Sequence, residues 1–334
     1  MGIKGNQKLK LLFILDILKK HSDDEHALSA ETICDYLCEY GINAERKSIY
    51  NDIAILSDYG YDIVKVHGNN AGCFLADRGY ELAELRLLCD AVQAADFIPV
   101  KKTKQLVDKI LQQASIFQAE KIKNQVYVDS RRKCNNEEIY YTIDKLDNAI
   151  NNKKMVNIVY RKRVVTDENR AVFEEKTHII SPYAMIWAND RYYLVCNNQK
   201  YNNLMVNRID RIKHVDILDD TVSRPFSEVS PYQISFDSAD YANKHFNMFS
   251  GDPKPVELIC NDSLIENILD KFGDNANIKK YGSERFLLKA DVAVSEGLIA
   301  WIMQFGGDIE IKSPVELKNM LFKKLNEIKS AYTI

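Results

Sequence analysis

Apolar residues recur along the first 60 positions at the three- and four-residue steps of amphipathic helices. Leu9, Leu12, Phe13, Ile17 and Leu18 predict a first helix, with Lys8, Lys10, Lys19 and Lys20 on its other positions. Ser29 as an N-cap, Glu31 in the first turn and Gly41 as the stop predict a second helix over 30–40. Asn43 stands where it can cap a third helix reaching about residue 59, whose Ile49, Ile53 and Leu56 share one face. The period then changes to alternation. Segments 63–66 and 73–75 predict two short strands about the turn His67-Gly68-Asn69-Asn70-Ala71-Gly72. Helical spacing returns in 81–97, through Leu82, Leu85, Leu88, Cys89 and Val92, and in 103–117, through Leu106, Ile110 and Leu111, with Pro99 between them. A further helix is expected over 137–150.

Beyond residue 155 alternation dominates. A strand is expected over 155–160, a charged loop over 161–169, and a second strand ending at 179–183. Runs 183–187 and 192–196 then meet across Ala188-Asn189-Asp190-Arg191, a segment suited to a hairpin turn. After a strand at 204–207, Arg208-Ile209-Asp210-Arg211-Ile212 is too polar to continue it and predicts one helical turn before a strand at 213–218. Five strands in this order predict a small β-barrel. An irregular stretch with Pro225, Pro231, Pro253 and Pro255 follows. Strands at 256–260, 278–281, 286–292 and around Ile309 and Ile311 alternate with helices capped by Ser263 with Glu266 and by Ser295, and Ser313-Pro314-Val315-Glu316 opens a last helix. That β-α-β-β-α-β order predicts a ferredoxin-like unit. The expected fold class is α+β and multidomain: three helices and a hairpin over 1–78, a helical connector over 79–150, a barrel over 151–220, and a linker with the ferredoxin-like unit over 221–334.

Composition narrows the function. A net charge of −3 excludes a globally basic nucleic-acid binder but leaves room for a basic patch. No apolar run approaches the roughly 18 residues of a membrane span, and no secretory signal is visible, so a cytoplasmic protein without a membrane partner is expected. The seven cysteines are scattered and predict free thiols; with six histidines at no zinc-like spacing, neither a metal nor another cofactor is expected. The chain has no Gly-x-Ser-x-Gly, no phosphate-cradling glycine loop, no His-Glu-x-x-His and no paired carboxylates, so no catalytic residue is assigned and an enzyme is not expected.

Two stretches resemble known families. Trp187, Tyr193 and Leu194, followed by the Arg208–Ile212 run, resemble the signature of the WYL domain. That resemblance implies an SH3-like or Sm-like barrel, found mostly in bacterial transcription regulators, that senses a ligand. Ser48-Ile49-Tyr50-Asn51-Asp52-Ile53 with Gly72-Cys73-Phe74 resembles the recognition helix and wing of DeoR-type winged helix-turn-helix domains, which implies binding to a double-stranded operator. The arc of the third helix opposite Ile49 and Ile53 carries Lys47, Ser48, Asn51 and Ala54, flanked by Arg46 and Tyr50. With Lys65 and His67 of the hairpin, Arg46, Lys47, Ser48, Tyr50 and Asn51 are the DNA-binding candidates. Where such families often carry two arginines before the Asp, this chain has Tyr50 and Asn51, so phosphate grip leans on Arg46, Lys47 and Lys65.

Within the WYL-like stretch, Tyr160, His178, Ser181, Tyr183, Tyr193, Arg208 and Arg211 are the effector candidates. Two arginines for phosphate and aromatic faces for bases point to an anionic effector, a nucleotide or a single-stranded nucleic acid. Arg208 and Arg211 can share a site only if the turn between them is helical. Trp187, Tyr193 and Leu194 are also expected in the barrel core, and Arg131-Arg132-Lys133 reads as a solvated charge run. The C-terminal unit resembles the extension that follows WYL domains, which implies a homodimer. The alternative is a nucleic-acid-binding accessory protein of a defence or CRISPR system.

Overall fold

Three helices and a hairpin form around one apolar core at the start of the chain, in a computed structural model that describes residues 7–68, 71–124, 133–230 and 237–332. The chain divides into two compact units between residues 135 and 136. In the first, α1 (Lys10–His21), α2 (Ala30–Glu39) and α3 (Arg46–Tyr59) bury Ile14, Ile17, Leu18, Ile33, Leu37, Ile49 and Ile53. Ser29 caps α2 as its sequence predicts, accepting from the Thr32 amide. The phase of α1 differs from expectation, because Ile14, Leu15, Ile17 and Leu18 face inward and leave Leu12 59% exposed. The third helix starts behind Glu45 without a side-chain cap, so Asn43 is not its N-cap.

The hairpin pairs β1 (Ile63–Val66) with β2 (Gly72–Leu75), Ile63 opposite Leu75; Asn69 and Asn70 of its turn lie outside the described residues. Leu28 and Cys73 exchange backbone hydrogen bonds of 2.9 and 2.8 Å. A Cβ at Gly72 would stand 2.5 Å from the Leu28 carbonyl oxygen, so this close approach requires glycine.

Helices α4 (Leu82–Ala94), α5 (Val100–Leu111) and α6 (Ile116–Lys123) follow. The stretch 103–117 is therefore not one helix: Ser115 accepts from the Gln118 amide and starts a new one. The Ser115 hydroxyl also donates to buried Asp23, whose other oxygen lies 2.6 Å from His26 Nδ1. Burial pushes the Asp23 carboxyl up, but Ser115 and His26 outweigh it and hold the group below the usual carboxylate range. A depressed Asp adds stability above its unfolded pKa of about 4 that is lost as pH falls. Chemical denaturation of Ser115→Ala at pH 7 and pH 3 is expected to show a smaller loss on acidification than wild type; an equal loss would remove this contact from the account. Arg131 and Arg132 lie outside the described residues, whereas Lys133 Nζ is buried and donates to the Ala95 carbonyl at 2.8 Å.

In the second unit α7 (Ile139–Asn151) packs on a five-stranded antiparallel sheet. Its strands are β3 (Met155–Val165), β4 (Ala171–Ala188), β5 (Arg191–Asn197), β6 (Met205–Arg208) and β7 (Ile212–Leu218), in the order β6-β5-β4-β3-β7. This corrects the expected barrel, since no backbone pairing among the described residues joins edge strands β6 and β7. Instead the predicted helical turn forms as a 3-10 turn, Ile209–Arg211, that touches both β5 and β3. Residues 161–169 are not one loop either. Strands β3 and β4 continue as a ribbon to Val165 opposite Ala171, where Phe173 lies against the guanidinium groups of Arg161 and Arg163. The hairpin between β4 and β5 turns on Asn189 and Asp190, with φ of 48° and 54°, the left-handed pair of a type I′ turn.

Helix α8 (Ser238–Lys244) contacts β4 of this sheet and β10 of the next; Pro231 lies outside the described residues. The second sheet has β8 (Pro253–Asn261), β9 (Asn277–Lys280), β10 (Arg285–Ala293) and β11 (Ile309–Ser313) in the order β11-β8-β10-β9, with α9 (Ile265–Phe272), α10 (Glu296–Met303) and α11 (Val315–Tyr332). The β-α-β-β-α-β order is as the sequence predicts. Val256, Leu258, Ile268, Leu288, Leu298 and Ile311 form its core, and Trp301 packs at 5.1 Å against Phe246. Ser295 caps α10, accepting from the Leu298 amide. Ahead of α9, however, Asn261 accepts from the Ser263 amide and caps a 3-10 turn, Asp262–Leu264, while α9 itself starts behind Leu264 without a side-chain cap, so Ser263 is not the cap.

Candidate functional site

The helix-three face and the sheet face of the second unit hold the two groups of candidate residues. On α3, Arg46, Lys47, Tyr50 and Asn51 are exposed, and Lys65 and His67 are exposed on the hairpin. Burying Ile49, Ile53 and Leu56 turns these positions outward. Ser48 is partly buried and accepts from Lys10 Nζ at 3.0 Å. The same ammonium lies 2.6 Å from Asp52, tying α1 to α3. Arg46 pairs with Glu31 of α2. Lys47, Tyr50 and Asn51 therefore form the reachable centre of this face, while Arg46 and Ser48 already have partners. The Lys10–Asp52 link was not among the sequence candidates, because no spacing rule connects residues on different helices.

In the second unit Tyr193 on β5 stands directly opposite Arg208 on β6, so both project from one face. Asp210 on the 3-10 turn grips Arg208 with two bonds, Nε to Oδ1 at 3.0 Å and Nη2 to Oδ2 at 2.6 Å. Arg191 Nη1 lies 3.9 Å from the same carboxylate. The bond to Asp210 holds the Arg208 guanidinium above its ordinary pKa, and Tyr193 and Tyr160 add to that field. Burial raises the Tyr193 hydroxyl, partly opposed by Arg208 and Arg191 and more weakly by Arg211. Arg211 is exposed on the turn. The structure thus gathers Tyr160, Tyr193, Arg208 and Arg211 and adds Arg191 and Asp210, which sequence reasoning missed. Two guanidinium groups, Arg208 and Arg191, face the Asp210 carboxylate beside two phenol rings, and exposed Arg211 adds a third positive charge in the field of Tyr193. That set can hold an anion by charge and a flat ring by stacking.

The remaining effector candidates are His178, Ser181 and Tyr183. His178 stands opposite Ile158, on the face of the ribbon that carries Tyr160 and Lys176. Ser181 and Tyr183 are not in the arginine cluster: Tyr183 donates to the Arg224 carbonyl at 2.9 Å, and Ser181 Oγ accepts from the Arg224 amide at 3.0 Å. Phe226 sits edge-on to Tyr183, and burial pushes the Tyr183 hydroxyl up to about 12. Their geometry fastens the chain after β7 to the sheet. Trp187 also departs from expectation: Leu194 is fully buried, but Trp187 is 51% exposed on the face it shares with Tyr192.

Among the described residues no group of His, Cys, Asp or Glu could hold a metal ion, and no helix is long and apolar enough to cross a membrane.

Residues 141–217 match the WYL domain and residues 255–328 the WCX domain, so the chain contains both. The first match runs from α7 into β7 and takes in the arginine cluster; the second takes in the four-stranded sheet and its helices. No curated protein matches the chain. Among solved structures it is similar to Proteasome accessory factor B/C (PafBC) of Arthrobacter aurescens at 13% identity and a TM-score of 0.29, covering 100% of this chain and 50% of that one. The chain thus spans half the length of that protein.

Proposed function

We propose that this chain is a DNA-binding transcription regulator, without catalytic activity, that senses an anionic ligand through its WYL domain. The observation that carries the reading is the Arg191, Arg208 and Arg211 cluster beside Tyr193 and Tyr160, lying inside the WYL match. Its chemistry suits a nucleotide or a single-stranded nucleic acid, whose phosphate and base it can engage together. Three helices and a hairpin with Lys47, Tyr50, Asn51, Lys65 and His67 exposed support duplex binding in winged-helix fashion. A homodimer would present two such faces to half-sites separated by about 10 base pairs.

The test is a fluorescence-anisotropy titration of labelled single-stranded oligonucleotides, with mononucleotides as competitors, against wild type and Arg211→Ala. Arg211 has the fewest structural ties of the cluster. Its loss is expected to weaken binding about tenfold, in line with one charge-assisted contact of about 1.5 kcal/mol. Wild type that binds none of these ligands, or a variant that binds them equally well, would sink the assignment of this site.

A further inference from the structure

The last helix outruns the sheet it belongs to. Leu317 near its start is buried and Met320 and Leu321 pack on the C-terminal core, but every residue from Phe322 to Tyr332 is exposed. That is about three turns, or roughly 16 Å, of helix. Its apolar residues are ordered. At 100° per residue Leu321, Leu325, Ile328 and Tyr332 fall within about 60° of one another, with Phe322 at their margin. Phe322 is 62% and Tyr332 85% exposed. A helical segment this short is marginal alone in water, and an apolar stripe left in solvent marks an interaction surface.

Charge decides what the stripe fits. On the same projection Lys318 and Lys329 border it on one side and Lys324 on the other, whereas Glu316 and Glu327 fall toward the back. Lys324 lies 3.4 Å from Glu327, an exposed ion pair that is easily exchanged. We propose that the second half of α11 is a docking helix, which lays Leu325, Ile328 and Tyr332 into an apolar groove with an acidic rim on a partner protein. The same charges disfavour a second copy of this chain. An antiparallel pair about a two-fold axis sets the Lys318 and Lys329 edge against itself, and a parallel pair sets that edge against Lys324; both juxtapose like charges.

Two designed helical peptides test this, identical in their heptad leucines but flanked by Glu in one and by Lys in the other, titrated against the full chain. The Glu-flanked peptide is expected to bind at least tenfold more tightly than the Lys-flanked one. Leu325→Ser with Ile328→Ser should abolish its binding, and Lys324→Glu with Lys329→Glu should reverse the preference. These positions are exposed, so circular dichroism should show all variants folded. Three results would overturn the proposal: equal binding or none for both peptides; a wild-type dimer in sedimentation that the Ser variant converts to monomer; or binding to phosphatidylserine vesicles, without peptide binding, that the Ser variant loses.

Discussion

Asp210→Ala is expected to destabilise the second unit by about 1–3 kcal/mol and, at the same time, to tighten its binding of an anionic oligonucleotide. Removing the carboxylate leaves Arg208, about a quarter exposed, without its two-bond partner. Breaking a partly buried charged pair from one side costs more than the pair contributes, because the remaining charge stays desolvated. For binding the sign reverses. The carboxylate now competes with any phosphate for Arg208 and repels it across the cluster, so its loss frees a fork of donors suited to phosphate. A several-fold to tenfold gain in affinity should follow. Asp210→Asn, which keeps the shape and removes the charge, should show much of the gain with less of the stability loss. Denaturant melts and anisotropy on the same samples separate the two effects. Weaker ligand binding by a folded Asp210→Asn protein would mean that the carboxylate positions Arg208 for the ligand rather than masking it.

The parts of this cluster that were legible in the sequence were local. Asn189-Asp190 states its own turn, because two adjacent left-handed residues close a type I′ hairpin whatever surrounds them. The polarity of Arg208, Asp210 and Arg211 gave the helical turn, and Ser29 and Ser295 named their helices because capping is settled within three residues. What escaped was non-local. Arg191 joins Asp210 only after β5 and β6 have paired, although Asp210 stood between the candidates Arg208 and Arg211 throughout. Ser181 and Tyr183 have the chemistry of a ligand site, but the chain returns from β7 to occupy their hydrogen bonds. The ribbon from Arg161 to Lys176 was hidden because it is wet on both faces: pairs such as Lys213 with Glu175 replace the hydrophobic alternation that marks a half-buried strand. A β-bulge between Pro182 and Ala184 shifts the register of β4 ahead of Trp187, and no pattern in the sequence locates that shift.

For the α3 face proposed to bind DNA the expected result is a split between two kinds of variant. Asn51→Ala should relax sequence preference by about 1–3 kcal/mol at one base pair, because an exposed amide at the centre of α3 can make a paired contact to a base edge that alanine cannot. Lys65→Ala, on the hairpin, should weaken all duplexes alike and lower the salt dependence of binding by about one unit of slope, as loss of one phosphate contact does. Arg46→Ala should cost less than its charge suggests, since Glu31 already neutralises it, and Glu31→Ala should then strengthen binding to any duplex. Selection of a preferred duplex from a random pool, followed by anisotropy at matched salt for each variant, reads all of these. If wild type selects no sequence, or if Asn51→Ala keeps the wild-type preference at every position, α3 is not the reading helix. A ligand that acts through the arginine cluster must further shift duplex affinity by the same factor by which the duplex shifts ligand affinity. Binding at both sites without that reciprocity would leave two nucleic-acid interfaces on one chain and no regulation between them.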